Sequence, residues 1–198
     1  MSTEIRVVNN FLKGFDKIIS KDQLRLVMCG VYFEAGKAIA TDAHKVIKCD
    51  VNIYSFVHPD SVAPETKEPI NVLDGFFMDI EILKELKITK DKFITLSEGA
   101  INIHRSNGAT LKTLKLQKMS EIGNYPKTSS FFDDTISEKP YFNFNGQYLL
   151  DIQNVFLNTG FSSAIGQGLK MSYGQHNRIS IKNHDKTFEA VLMELSIN

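Results

Sequence analysis

The side chains able to do chemistry are thinly spread along this chain. Five histidines (His44, His58, His104, His176 and His184) and two cysteines (Cys29 and Cys49) could hold a metal. None of them stands at metal-ligand spacing with another, or with a carboxylate. Gly160 and the Gly166-Gln167-Gly168 turn follow no strand-to-helix junction of the kind that cradles a phosphate. Nothing in the pattern selects a serine, a histidine and an aspartate as a triad. No enzymatic activity, metal or cofactor is therefore expected. What remains is binding chemistry. Thr41-Asp42-Ala43-His44-Lys45 is a polar string set between two apolar runs. Lys13, Lys17 and Lys21 fall four apart, on one stripe of a helix. Such a stripe either forms a solvated face or presents ammonium groups to a phosphate backbone.

Charge narrows the second option. Lys and Arg number 23 and so do Asp and Glu, giving a net charge of zero. A protein that grips nucleic acid tightly by neutralising phosphates carries an excess of positive charge. A ring that surrounds DNA loosely needs a basic lining only on its inner side. The 198 residues suffice for one large or two small domains with a real core. At 42% apolar, the composition is that of a globular protein. No apolar run approaches the roughly 18–20 residues of a membrane helix. The start, MSTEIRVVNN, lacks the basic-then-apolar order of a signal peptide, so a cytoplasmic location without membrane contact is expected. The two cysteines then read as buried free thiols within strands.

The elements that must position these residues can be taken in order. Residues 8–20 carry Phe11, Leu12, Phe15, Ile18 and Ile19 at helical spacing. Residues 27–34 alternate Val27, Cys29, Val31 and Phe33 with Met28, Gly30, Tyr32 and Glu34, the pattern of a half-buried strand. Ala35-Gly36-Lys37 is a hairpin turn, residues 38–41 return, and residues 45–51 form a further strand. Residues 52–69, with three prolines, read as a linker. A second unit follows: a strand-like stretch over 70–78, a helix over 79–87 capped by Asp79, and strands over 93–96, 100–104 and 111–119. Residues 127–140 read as a connector. A third unit has a strand over 141–144, a helix from Asn145 to about Leu157, strand candidates over 161–165 and 169–173, and a hairpin of residues 178–182 and 187–195. Three copies of a strand-helix-strand-strand-strand unit result, over 1–55, 68–127 and 139–198. The first two make a clamp domain, 1–130, and the third is a C-terminal half-domain.

This order of elements resembles the bacterial DNA polymerase III β sliding clamp family. Three stretches carry the resemblance. In the first, Arg25, Met28, Gly30, Phe33 and Glu34 are followed by Ala40-Thr41-Asp42-Ala43-His44-Lys45-Val46, where that family has alanine-threonine-aspartate-glycine-histidine-arginine-leucine. In the second, Gly123-Asn124-Tyr125-Pro126 stands where the family has glycine-x-phenylalanine-or-tyrosine-proline. In the third, Phe144, Asn145, Tyr148, Leu150 and Asp151 match phenylalanine-asparagine-x-x-tyrosine-x-leucine-aspartate. Val191, Leu192, Met193 and Leu195 then partly match the family's closing strand. The chain looks like the middle domain followed by half of the last. It departs from the pattern at Ala43 (a glycine in the family), Glu194 (a proline) and Ser196 (an arginine).

The resemblance implies an α+β protein of the DNA-clamp fold, with helices on one face of antiparallel sheets. It implies a non-enzymatic processivity factor whose partners are DNA polymerase and other proteins bearing short linear peptides. The pocket for those peptides would be built from Met28, Thr41, Ala43, His44, Lys45, Val46, Asn145, Tyr148, Val191, Leu192, Met193 and Leu195. Lys13, Lys17, Lys21, Arg25, Lys84 and Lys87 would face double-stranded DNA, in weak and sequence-independent contact. A homo-oligomer could close the ring. The rival expectation is a clamp-derived interaction module, an adaptor or decoy, that never encircles DNA.

Overall fold

The structure is a computed structural model; it describes residues 5–7, 12–51, 71–86, 92–132, 143–158, 168–174, 177–184 and 186–194. Two antiparallel sheets organise these residues, with few helices. The smaller sheet has four strands in the order β1 (Ile5–Val7), β6 (Lys92–Ser97), β7 (Ala100–Arg105), β8 (Thr110–Lys115). The larger has eight. Its order is β10 (Lys170–Gly174), β11 (Arg178–Lys182), β12 (Phe188–Met193), β4 (Lys45–Asp50), β3 (Lys37–Thr41), β2 (Gly30–Glu34), β5 (Phe76–Asp79), β9 (Gln117–Lys118). The helices are α1 (Ile80–Glu85), α2 (Met119–Ile122) and α3 (Gly146–Asn158). Mixed α+β architecture with antiparallel sheets is what the sequence led us to expect.

The seam between β4 and β12 matters most for the site. Val46 stands opposite Val191, and Lys45 opposite Leu192. The third unit is therefore hydrogen-bonded to the first through one continuous sheet. Both strands are largely buried on two faces. Ile47, Ala190 and Leu192 enter the main core, together with Ile152, Val155 and Phe156 of α3. Phe156 meets Phe188 edge-on, with ring centroids 5.2 Å apart. Val46 and Val191 point the other way, into a second apolar cluster with Ile39 and Phe132. Beside it the buried Glu189 carboxylate is held by Lys48 at 2.8 Å and Lys182 at 3.3 Å, so its charge is compensated.

Several local readings hold and others do not. Ala35 and Gly36 both take positive φ (50° and 70°) in the β2–β3 turn. Asp79 caps α1 by accepting the Ile82 N–H at 2.9 Å. Residues 12–20 are not an α-helix: only Phe15–Lys17 forms a 3-10 turn, entered through Gly14 at φ 92°. A Cβ at Gly14 would lie 3.3 Å from Val155 Cγ2, so this turn packs closely against α3. Leu12, Phe15, Ile18 and Ile19 are buried all the same. The strand expected over 27–34 is shorter. Gln23–Met28 is a 3-10 helix with a kink at Arg25, capped by Asp22, and β2 begins at Gly30. Cys29 thus lies outside any strand and is half-buried, whereas Cys49 is buried in β4. The strand expected over 111–119 breaks at Leu116, and Met119 opens α2. Asn143 and Phe144 form no strand. The expected linker over 52–69 and the strand candidate over 161–165 lie outside the described residues.

Candidate peptide-docking site

The antiparallel register brings three chain segments to one end of the large sheet. Tyr32 pairs with Ile39, which places the start of β2 beside the end of β3. Thr41 pairs with Val46, and Lys45 with Leu192. Met28, the 41–45 loop and the end of β12 therefore share this end.

The loop is held by its own polar groups. Thr41 Oγ1 donates to the Lys45 carbonyl at 2.8 Å and accepts the Ala43 N–H at 3.1 Å. Asp42 Oδ1 accepts the N–H groups of His44 and Lys45, both at 3.0 Å. These are Asx- and ST-type turns, in which short side chains replace missing backbone partners. Ala43 sits at φ 75°, in the left-handed region, and thus takes a backbone conformation that a glycine would adopt without strain. The loop is tied to the seam by the Met193 N–H, which donates to the His44 carbonyl at 3.0 Å.

Helix α3 supplies the other wall. Asn145 Oδ1 accepts the Gln147 N–H at 2.9 Å, as a side chain capping a helix start does. One turn further, the Tyr148 ring stacks on the exposed His44 ring, with centroids 5.8 Å apart and planes 19° apart. The Lys45 ammonium lies 4.3 Å from the centre of the same ring. Lys45 is 4% exposed and bonds to Asp42 at 2.7 Å and Asp151 at 3.4 Å; Asp151 also accepts from Gln147 at 3.0 Å. At the far rim, Glu194 accepts a hydrogen bond from the Tyr173 hydroxyl at 2.9 Å, and its N–H donates to the Asn177 carbonyl at 2.8 Å.

The residues expected in the pocket thus gather on two levels. His44, Lys45 and Tyr148 interlock on the α3 side, with Asn145 at the start of that helix. Leu192 is buried beneath them in the main core. Val46 and Val191 lie on the opposite face of the sheet, against Phe132. Thr41 is buried as a loop-holding group, Ala43 is exposed at the tip, and Met193 is half-buried. Met28 is half-buried where its carbonyl accepts the Ser20 N–H. Leu195 lies outside the described residues. Sequence reasoning missed Tyr32, Ile39, Lys48, Tyr125, Phe131 and Phe132, which surround Val46 and Val191. The signals available were the Phe131-Phe132 pair in a mostly polar stretch and Tyr125 within the 123–126 string.

Among the cations expected to face DNA, the lysines of residues 13–21 do not stand on an α-helix. Lys13, Lys17 and Lys21 are exposed, but the 3-10 geometry of residues 15–17 removes the helical stripe. Arg25 sits 3.5 Å from Asp22, and Lys84 2.7 Å from Glu81. Lys87 is outside the described residues. Among the described residues no three metal-ligating side chains converge, and no helix is long and apolar enough to cross a membrane.

No family model and no curated protein matches this chain. Solved structures do. The chain is similar to the DNA polymerase sliding clamp of Bacillus subtilis, with a TM-score of 0.63 at 13% identity, over 100% of this chain and 65% of that one. It is similar to DNA polymerase III subunit beta of Borrelia burgdorferi, determined in complex with a natural product (TM-score 0.58, 13% identity, 99% and 65%). It is also similar to that of Pseudomonas aeruginosa (TM-score 0.57, 15% identity, 99% and 66%). The chain spans about 65% of the length of these clamps. With its antiparallel sheets and few helices, this chain has the fold of the bacterial DNA polymerase sliding clamps.

Proposed function

We propose that this protein is a reduced sliding clamp, a non-enzymatic processivity factor of the cytoplasm that docks short linear peptides of DNA polymerase and other partners. One observation carries the reading. Three segments distant in sequence, the 41–45 loop, the start of α3 and the end of β12, meet across the β4–β12 seam and interlock through His44, Lys45, Tyr148 and Met193. An apolar wall with a few fixed polar groups is what an extended peptide needs: area for affinity, and hydrogen-bonding groups for register. The test is fluorescence anisotropy with a fluorescein-labelled synthetic copy of the clamp-binding peptide of a bacterial replicative polymerase. Saturable binding that falls at least roughly tenfold in His44→Ala/Tyr148→Ala supports the site. Binding untouched by that double substitution sinks it.

A second reading, a clamp-derived adaptor that does not encircle DNA, is favoured by α3. Its sequence, GQYLLDIQNVFLN, has no lysine or arginine, and it exposes Leu150 and Leu157. Such a face suits protein better than phosphate. Light scattering at several protein concentrations, followed by retention on nicked circular DNA, separates the two. A closed oligomer that stays on circles and slides off linear DNA supports the clamp; a strict monomer supports the adaptor.

A further inference from the structure

The outer face of the β4–β12 seam is already occupied. Val191 is 1% and Val46 5% exposed, although both lie on the face of the sheet turned away from α3. Among the described residues, the part of the chain outside the sheet that packs on them is the stretch 125–132. Tyr125 anchors one end: its hydroxyl donates to the Ile39 carbonyl at 3.3 Å, and its ring packs on Tyr32 with centroids 4.9 Å apart. Three residues later Thr128 is buried, and its carbonyl accepts the Phe131 N–H at 2.9 Å, starting the short 3-10 turn Ser129–Phe132. That turn places Phe132, 9% exposed, on Ile39, Val46 and Val191. The Lys48 ammonium stands 4.2 Å from the centre of the Phe132 ring.

The construction is lopsided. The apolar floor belongs to central strands and cannot move without opening the sheet. The cover is one four-residue 3-10 turn, among the weakest helical elements. A peptide reaching for Val46 and Val191 must therefore displace Phe132 rather than reshape the floor. We propose that residues 125–132 form a built-in cover over Val46 and Val191, the part of the docking site on the face away from α3, with Phe132 holding the place that a partner's side chain takes. The inference rests on the peptide-docking reading above and adds its regulation: the partner competes with the chain's own aromatic. Lys48 stabilises the closed state by its contact with the ring, and any partner side chain entering there meets the same cation.

The labelled polymerase peptide named above tests this on the full chain. Phe132→Ala removes the competitor, and the peptide is expected to bind on the order of tenfold more tightly than to the unaltered protein. Phe132→Leu, which keeps an apolar cover and the fold, is expected to fall between them. A second readout uses the unaltered protein: hydrogen exchange at the Phe131 amide, bonded to Thr128 when the cover is closed, should accelerate when peptide is saturating. Equal affinity for all three proteins, with Phe131 equally protected free and bound, overturns the cover and leaves the docking site standing. Absence of binding to any of them overturns the docking site and the cover together. If Phe132→Ala does not fold, Phe132→Leu and the exchange measurement decide by the same criteria.

Discussion

The Lys45 ammonium lies 3.4 Å from the Asp151 carboxylate and 2.7 Å from that of Asp42, so one buried cation fastens the 41–45 loop to α3. Lys45→Met removes the cation from both carboxylates, leaving Asp42 with its backbone donors and Asp151 with the Gln147 amide. Loss of one partner of a buried pair costs about 3 kcal/mol or more. The urea midpoint should fall accordingly, and adding Asp151→Asn should recover part of the loss, because one of the two negative charges is then removed.

Ala43 adopts φ 75°, which costs a residue with a Cβ about 1 kcal/mol. Ala43→Gly relieves that strain but loosens the unfolded chain, which offsets part of the gain. A net stabilisation of about 0.5 kcal/mol is expected from denaturant unfolding, with the turn unchanged. A destabilised Ala43→Gly protein would contradict the strain.

Gly30 begins β2 where it pairs with Asp79 of β5, and a Cβ there would sit 2.2 Å from the Met78 carbonyl oxygen and 2.5 Å from the Phe77 ring. Backbone cannot yield as a side chain can. Gly30→Ala should therefore cost about 3 kcal/mol or more and separate β5 from β2. Thermal unfolding by circular dichroism checks this.

The Tyr125 hydroxyl is enclosed where it donates to Ile39, and burial pushes this phenol above its ordinary range. Tyr32 beside it moves the same way, first by burial and then through Glu34 and Asp74. The folded state thus keeps protons that the unfolded chain releases near pH 10. Stability from these phenols is complete below about pH 10 and drains as the pH rises above it. Urea midpoints at pH 8 and about pH 11 should diverge more in the unaltered protein than in Tyr125→Phe. That variant should also be weaker by about 1 kcal/mol at neutral pH, through the lost hydrogen bond.

Much of the fold was legible because its signals are local. Asp79 before an apolar helix, Ala35-Gly36 between alternating strands, and Asn145 two residues before Gln147 each state their structure within a few positions. The spacing of Leu12, Phe15, Ile18 and Ile19 named the right buried residues but the wrong backbone. Helical periodicity records which side chains point inward, and a tight 3-10 turn through Gly14 meets the same requirement while fitting against Val155. The site was half legible. The 41–45 loop and Tyr148 were named by type and order, through a family pattern. Phe132 was not, because its partners Val46 and Val191 lie far away in the chain, and no local pattern records a cover folding onto a distant strand; Tyr125 was named only within the 123–126 string, not for its bond to Ile39.

The β4–β12 seam has a consequence for how the molecule is made. Val46 and Val191 are partners separated by about 145 positions. Until the later strand emerges, β4 presents an open row of N–H and C=O groups flanked by Val46, Ile47 and Cys49, the kind of edge that recruits other chains. At about 5–20 residues per second, that edge stays unpaired on the ribosome for roughly 10 s. Closing so long a loop is slow as well as late. Nascent copies on one polysome are therefore one another's most dangerous neighbours, and the yield of folded protein should depend more on translation density and chaperone supply than on the stability of the finished sheet.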